Sequence, residues 1–264
     1  MNSILILGCG NMGGAMLTGW LGAGIDPARF TVVDPFLAEA PAGVRLLREV
    51  PPGHFDFVLL GVKPQALDQA VSALAGALGA GSVLLSILAG TEIASIKARV
   101  PGAGPVVRVM PNLAAAIGKS PIGVYGEALG EAARTRVESL LAPLGTPEWL
   151  EREDQLDIVT ALAGSGPAFV YRFIDALAAG GAELGLEPQQ AQRLALAMVE
   201  GAALLAAQSD AEPAELARRV TSPGGTTAAG LAVLDADSAL IRLIEATLRA
   251  ARNRGSELAE AARG

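Results

Sequence analysis

The sequence predicts an α/β chain with a doubly wound parallel sheet in residues 1–153, followed by an all-helical domain in residues 154–264. Two observations lead to this fold class. In the first part, short apolar runs alternate with helical segments, which is typical of β-α-β units built on a parallel sheet. In the second part the β-branched runs disappear, and helix-forming residues are interrupted only by short segments rich in Gly, Pro and Ser.

The strand predictions rest on apolar runs, several of which lack alternation, as expected for parallel strands buried on both faces. These runs lie at residues 3–8, 29–34, 55–61, 82–87, 105–110 and 122–125. Segments with helical apolar spacing lie between or after them, at residues 12–22, 64–78, 92–100 and 131–141. The first domain therefore reads as alternating strands and helices.

The composition excludes several classes of function. A formal net charge of −7 argues against nucleic-acid and anionic-membrane partners, which require a basic surface, and favours a small-molecule ligand. Cys9 is the only cysteine, so neither an intramolecular disulfide nor a cysteine metal cluster can form, and no metal site is predicted. No apolar run reaches the roughly 18 residues of a membrane span, so we expect a cytoplasmic protein.

A glycine-rich motif follows the first predicted strand directly and opens a helix. It reads Gly8-Cys9-Gly10-Asn11-Met12-Gly13. Glycines at this spacing allow a tight turn and a close approach of the backbone, and the helix N-terminus presents free amides to a pyrophosphate. We therefore expect a Rossmann-like dinucleotide site in which Gly8, Gly10, Asn11, Met12 and Gly13 contact the cofactor.

Asp34 ends the second predicted strand, where this motif expects an acidic residue that holds the ribose hydroxyls. A carboxylate there would repel the 2′-phosphate of NADPH, and no arginine follows it before Arg45. Asp34 therefore favours NADH within an NAD(P)H site. The alternative is that Asp34 is an ordinary turn residue before Pro35.

Two further motifs end later predicted strands, at the sheet edge where open α/β sheets bind their ligands. Topology therefore places six residues near the cofactor: Val62, Lys63, Pro64, Met110, Pro111 and Asn112. The alternative for Lys63 is a solvated loop residue, and the prolines could serve only to terminate strands.

A loop without apolar side chains, Ser222-Pro-Gly-Gly-Thr-Thr227, separates two helical segments of the second domain. Pro-Gly-Gly cannot be helical throughout, so the loop predicts a new helix N-terminus with exposed amides, which attract a carboxylate. The hydroxyl groups of Ser222, Thr226 and Thr227 add donors. An amino or imino acid fits this loop, and the alternative is a plain interhelical turn with a capping threonine.

The second domain lacks three of the residue types used as general acids and bases, and offers only Tyr171, carboxylates, guanidiniums and hydroxyls. The only histidine is His54, and the lysines are Lys63, Lys97 and Lys119, so residues 154–264 contain no His, Lys or Cys. Hydride transfer to or from a hydroxyl group usually needs such a residue. An imine that solvent has protonated is already an electrophile, and needs only binding and orientation.

Five segments together resemble pyrroline-5-carboxylate reductase, the last enzyme of proline biosynthesis. They are "GCGNMGGAM" at 8–16, "VKP" at 62–64, "MPN" at 110–112, "GSGPAFVYRFIDAL" at 164–177 and "TSPGGTTAAGL" at 221–231. The resemblance implies reduction of the C=N bond of 1-pyrroline-5-carboxylate by NAD(P)H.

For the substrate site, the resemblance implies that Ser222, Gly225, Thr226 and Thr227 bind the substrate, with the Thr227 hydroxyl near the ring nitrogen as the catalytic group. It also implies a homodimer through the helical domain, often assembled into a pentamer of dimers.

The chain departs from the family where Leu113 follows "MPN" in place of a usual threonine, and at Asp34, where members that prefer NADPH often carry a small polar or basic residue.

Two other functions compete with the reductase interpretation. A β-hydroxyacid dehydrogenase would share the glycine motif but depends on a lysine in its helical domain, which this chain lacks. A dinucleotide-sensing protein without catalysis would have no need of the hydroxyl-rich loop.

Overall fold

The computed structural model describes residues 3–62, 67–72, 74 and 76–261. The chain divides into two compact units, of which unit 1 comprises residues 1–164 with 251–264, and unit 2 comprises residues 165–250. The boundary that the sequence suggests between residues 153 and 154 stays a prediction.

Within the described part of the chain, eight strands form one sheet in unit 1, in the order β3-β2-β1-β4-β5-β6-β7-β8. The strands are β1 (Ile4–Leu7), β2 (Phe30–Val33), β3 (Arg45–Leu47), β4 (Phe55–Leu60), β5 (Leu78–Ser86), β6 (Val106–Met110), β7 (Ser120–Gly126) and β8 (Gly145–Trp149). Neighbours are parallel except β6 and β7, which pair antiparallel. The doubly wound, mainly parallel sheet predicted from the sequence is therefore confirmed.

The helices of unit 1 include α1 (Asn11–Gly22), α2 (Leu67–Ser72), α3 (Ile93–Arg99), α4 (Glu131–Leu141) and α5 (Gln155–Val159). The helix predicted at residues 64–78 is wrong at its C-terminal end, because Leu78 already belongs to β5. Residues 64–66, at its start, lie outside the described residues. The helical apolar spacing was misleading at this end because Leu74 and Ala77, in the loop, and Leu78, in β5, all belong to the hydrophobic cluster on one face of the sheet.

The core of unit 1 lies on both faces of this sheet. In β1, Ile4 and Ile6 point to one face and Leu5 to the other, and all are fully buried. Such double burial explains the continuous apolar runs of the central strands. On the first face Trp20 stacks on Phe30 at 5.5 Å, and its indole N–H donates to the Leu140 carbonyl.

Unit 2 is helical, as predicted. Its helices are α6 (Gly166–Glu183), α7 (Pro188–Ala207), α8 (Pro213–Arg219), α9 (Thr226–Leu234) and the first part of α10 (Ala239–Ala261). Proline within the first two positions starts α6, α7 and α8, where its missing N–H costs nothing. Among the described helices of the chain, none combines the length and apolar character needed to cross a membrane.

Candidate functional site

The glycine loop between β1 and α1 is packed so closely that side chains are excluded at two of its positions. Gly8 has a φ of +82°, and a Cβ added there would lie 2.8 Å from the backbone nitrogen of Val62. A Cβ at Gly13 would lie 2.7 Å from the Gly8 carbonyl oxygen. The glycines therefore let the turn, the helix and the end of β4 approach one another, as a dinucleotide loop requires.

Gly10 has the opposite environment. It is the exposed N-cap of α1, so no side chain of the N-cap residue blocks the N-terminus of the helix. A Cβ added to Gly10 would have no neighbouring atom within 4 Å. The first N–H groups of α1 have no partner within the helix, and the helix dipole adds positive potential at the same end. The open space beside Gly10 and the exposed Asn11 thus fit the pyrophosphate of a dinucleotide.

Asp34 follows β2 and binds three backbone N–H groups. Its Oδ2 accepts from Cys9 at 2.8 Å, and its Oδ1 accepts from Phe36 at 2.8 Å and from Leu37 at 3.1 Å. Burial raises the pKa of the Asp34 carboxyl, but these three hydrogen bonds and the nearby Arg48 together lower it below its ordinary value. Asp34 is therefore ionised and connects the glycine loop to the turn after β2.

The position of Asp34 fits a contact with ribose, although most of its hydrogen-bonding capacity is already used. A carboxylate offers about four lone-pair sites, of which three are occupied here, so one site on Oδ2 is left for a ribose hydroxyl.

Burial, followed by the charge of Asp34, raises the pKa of the neighbouring Cys9 thiol. Cys9 is therefore a buried, neutral side chain.

The end of β4 lies directly beside the glycine loop. The Gly61 N–H donates to the Leu7 carbonyl at 2.7 Å, and a Cβ on Gly61 would lie 2.6 Å from the Gly8 carbonyl oxygen. This contact brings Val62 next to Gly8, and a cofactor contact by Val62 stays a prediction. Lys63 and Pro64 lie outside the described residues.

The end of β6 is less accessible than expected. Met110, Pro111 and Asn112 are all buried. The Asn112 Nδ2 donates to the Ala163 carbonyl at 2.9 Å, while its Oδ1 accepts from the Ala114 N–H at 2.9 Å. The Asn112 side chain thus connects the end of β6 to the π-helix Thr160–Gly164 that follows α5. A cofactor contact by the Asn112 side chain stays a prediction.

The hydroxyl-rich loop of unit 2 ends in a helix N-terminus. Gly224 has a φ of +71°, the Gly225 N–H donates to the Ser222 carbonyl at 3.0 Å, and α9 begins at Thr226. Gly225 is the N-cap of α9 and makes no side-chain cap. The side chains of Ser222, Thr226 and Thr227 are exposed, so hydroxyl groups and helix amides are available together for an anion.

Comparison with known proteins identifies the family. A family model described as pyrroline-5-carboxylate reductase dimerisation matches residues 153–258. A pyrroline-5-carboxylate reductase from Pseudomonas aeruginosa is 38% identical over 265 residues, which cover 97% of each chain. This chain belongs to the pyrroline-5-carboxylate reductase family. The resemblance read from the five sequence motifs is therefore confirmed.

Further comparisons cover the first half of the chain and the chain as a whole. A model described as NADP oxidoreductase coenzyme F420-dependent matches residues 3–90. The solved structure of a pyrroline-5-carboxylate reductase from Coxiella burnetii has a TM-score of 0.89 and 29% identity, over 97% of this chain and 98% of that one. The Plasmodium falciparum enzyme with NADP bound has a TM-score of 0.81 at 24% identity, over 98% of both chains, which shows the shared fold.

One residue at the turn after β2 of the reductase is absent from the sequence predictions. Arg48 follows β3, and its Nη1 donates to the carbonyl oxygens of Asp34 at 2.6 Å and Leu37 at 2.8 Å. The sequence showed only that no arginine follows Asp34 before Arg45, which begins β3 at the other end of the strand. Only the parallel pairing of β2 and β3 could have revealed that Arg48 lies beside Asp34.

Proposed function

We propose that this chain reduces the C=N bond of 1-pyrroline-5-carboxylate with NAD(P)H and releases L-proline, the last step of proline biosynthesis. The observation that carries the proposal is the presence of two glycine-capped helix N-termini in a chain of this family. The one at α1 has the shape of a dinucleotide loop, and the one at α9 is surrounded by exposed hydroxyl groups.

The cofactor contacts are assigned from the glycine loop and the sheet edge. Gly10, Asn11 and the adjoining amides of α1 would hold the pyrophosphate, and Asp34 would accept from a ribose hydroxyl. Gly8 and Gly13 act by permitting the close backbone approach that leaves this space open. The full set proposed to bind the dinucleotide is Gly8, Gly10, Asn11, Met12, Gly13, Asp34, Val62, Lys63, Pro64, Met110, Pro111 and Asn112.

The substrate contacts are assigned from the loop before α9. The N–H groups of the first turn, with the hydroxyls of Ser222 and Thr226, would bind the carboxylate through charge-assisted hydrogen bonds. Thr227 would place its hydroxyl at the ring nitrogen and so orient the C=N bond. A Cβ at Gly225 would displace the Ser222 Oγ, so glycine at this position leaves the Ser222 hydroxyl free to face the substrate.

The proton needed for the reaction does not require a titratable residue of the helical domain. When bound, the reduced dinucleotide supplies the hydride that the imine carbon accepts. Residues 154–264 contain no His, Lys or Cys, and in this proposal the ring nitrogen takes its proton from solvent before reduction. The contribution of the protein is then binding, orientation and stabilisation of the charged ring by a fixed hydroxyl dipole.

The chain is proposed to act as a homodimer through its helical domain, with a ten-subunit assembly of five dimers as the larger form, and to work in the cytoplasm. The support is the match to a dimerisation family and the many exposed apolar side chains of unit 2, including Tyr171, Leu205 and Leu243. A single soluble chain seldom leaves so much apolar surface in contact with water.

Oxidation of NADH and of NADPH, followed at the nicotinamide absorbance, tests the activity with 1-pyrroline-5-carboxylate and a β-oxoacid as parallel substrates. Turnover with the imine alone is the expected result. Turnover with the β-oxoacid would favour a β-hydroxyacid dehydrogenase, whereas dinucleotide binding without turnover of either compound would favour a sensing protein.

The substitution Thr227→Ala tests the substrate loop. Losing one hydrogen bond that strengthens in the transition state should lower kcat/KM for the imine by about 10- to 100-fold, while the Kd for NADPH is unchanged. Thr221→Ala is the matched control, because the Thr221 hydroxyl already donates to the Ala217 carbonyl within the chain. Equal loss of turnover in both variants, or a parallel loss of NADPH binding, would show that Thr227 has no special role towards the substrate.

A further inference from the structure

The C-terminal ends of β2 and β3 are neighbours in the sheet. Val33 lies opposite Leu47 in the parallel register, and the Asp34 N–H donates to the Leu47 carbonyl at 3.2 Å. Arg48, the next residue, therefore emerges at the same edge as Asp34. In doubly wound folds this edge receives the adenosine ribose of a dinucleotide, so a positive charge is present where the 2′-position would lie.

The guanidinium of Arg48 is anchored but retains free donors. Nη1 makes both hydrogen bonds to the carbonyls of Asp34 and Leu37, and these bonds hold the group against the turn after β2. Arg48 is exposed and makes no ion pair with a carboxylate among the described residues. Nε and Nη2 therefore remain able to donate in the fork geometry that suits a phosphate.

The backbone of the same turn cannot take over this role. The N–H groups of Phe36 and Leu37, which could otherwise bind a phosphate, already donate to Asp34 Oδ1. The carboxylate itself repels a second anion. In this turn, therefore, the cation of Arg48 is the group that can attract a 2′-phosphate.

We propose that Arg48 is the residue that lets this reductase accept NADPH, by binding the 2′-phosphate and compensating the charge of Asp34. The proposal rests on the dinucleotide site of the proposed function, and it predicts that the identity of residue 48 sets the ratio of NADPH to NADH affinity. Without Arg48 the repulsion by Asp34 is uncompensated, and the ratio of affinities shifts from NADPH towards NADH.

Binding measured without substrate tests the proposal independently of catalysis. The Kd values of NADPH, NADH, 2′,5′-ADP and 5′-AMP are determined by calorimetry for the wild-type protein, Arg48→Ala, Arg48→Lys and Arg45→Ala, with the melting temperature of each variant. Arg48→Ala should weaken NADPH and 2′,5′-ADP by about tenfold, the size of one charge interaction near the surface, and NADH and 5′-AMP by less than about twofold. The difference should shrink at high ionic strength.

The other two variants separate charge from position. Arg48→Lys keeps the charge but loses the fork of donors and the two carbonyl anchors, so its NADPH affinity should lie between those of the wild-type protein and Arg48→Ala. Arg45→Ala should leave both cofactors unaffected, since it removes the same charge from the opposite end of β3. Equal weakening of NADPH and NADH by Arg48→Ala would overturn the proposal, because it would show that Arg48 only holds the turn. If the variants show the expected changes in Kd but the wild-type protein does not reduce the imine, the proposed reaction is contradicted and the role of Arg48 is not.

Discussion

The two units of this reductase differ in where their apolar side chains go. In unit 1, large side chains such as Trp20, Phe30 and Leu59 have no exposed surface. In unit 2, helices α6, α8 and α9 contain no buried residue, and α7 buries only Ala191 and Ala195. Unit 1 therefore contains its own hydrophobic core, and the helices of unit 2 carry apolar side chains that have no comparable core.

The difference follows from the composition of the two segments. Unit 1 has β-branched and aromatic residues in strands that are covered on both faces, so burial is completed within the unit. Unit 2 has Ala- and Leu-rich helices in which many of the larger apolar side chains are exposed, among them Tyr171 at 68%, Leu205 at 70% and Leu243 at 64%. Residues 153–258 match a family model described as pyrroline-5-carboxylate reductase dimerisation, and the proposed dimer would cover part of this apolar surface. We therefore predict that unit 2 depends more on assembly for its stability than unit 1 does.

The largest expected effect comes from placing charges on the exposed apolar residues of unit 2. In the double variant Leu205→Glu/Leu243→Glu, each unpaired charge buried by assembly would cost about 3–5 kcal/mol. Light scattering after size exclusion should show the dimer or larger assembly of the wild-type protein replaced by single chains or aggregates. Imine turnover should be lost with it.

The matched control for this variant lies in unit 1. Phe36 is 94% exposed, more than Leu205 and Leu243, so Phe36→Glu adds a charge at an exposed apolar position outside unit 2. Its molar mass in solution should equal that of the wild-type protein. An unchanged mass for the double variant, or an equal loss for Phe36→Glu, would remove the distinction between the two units.

A second, smaller effect is expected from the close packing inside unit 1. Gly19 and Gly22 lie in the same helix, α1, but a Cβ on Gly19 would collide with the Ala115 carbonyl oxygen, whereas a Cβ on Gly22 would have no atom within 4 Å. Gly19→Ala should lower the free energy of unfolding by about 3 kcal/mol. Gly22→Ala should leave it unchanged or raise it by up to about 1 kcal/mol, since alanine favours the helix. Urea titration measures both, and similar values for the two variants would contradict this account of the packing.

The smallest effect concerns the hydrogen bonds by which unit 1 holds its glycine loop. Because the pKa of Asp34 is lower in the folded protein, its contribution to stability is present above the ordinary pKa of about 4 and disappears as the pH falls through the folded value. Asp34→Asn loses the acceptor for the Cys9 N–H and should cost about 1–2 kcal/mol at pH 7.

Urea unfolding repeated from pH 7 to pH 3 measures this effect. The difference in free energy of unfolding between Asp34→Asn and the wild-type protein should become smaller towards pH 3. Asp26→Asn is the control, because asparagine can replace the carboxylate that accepts the Ala28 N–H at an exposed cap. A difference for Asp34→Asn that stays constant from pH 7 to pH 3 would show that the charge of Asp34 is unimportant.

The long apolar runs were sufficient to predict most of the sheet. The predicted strands at residues 3–8, 29–34 and 55–61 contain β1, β2 and β4. The strands β3 and β8 were missed because neither contains a fully buried residue, and such half-exposed strands lack a continuous apolar run. The antiparallel direction of β7 was also missed, since a run of apolar residues carries no information about the direction of its neighbour.

The candidate site also has parts that the sequence predicts and parts that it does not. The glycines of residues 8–13 and the loop at 222–227 can be located from sequence because a tight turn and a helix start depend on neighbouring residues. The hydrogen bond from Asn112 to Ala163 spans 51 residues and could not be predicted, because no local preference specifies it.

By itself, the sequence determined the doubly wound sheet, the helical second half, the family and the two loops proposed to bind dinucleotide and substrate. Each of these depends on local chemistry: the period of apolar residues, the freedom of glycine and the start of a helix. Only the tertiary structure decided that Arg48 lies beside Asp34 and that unit 2 leaves its apolar side chains uncovered. Both depend on which distant segments come together, and this is set by the pairing of strands and the packing of helices rather than by neighbouring residues.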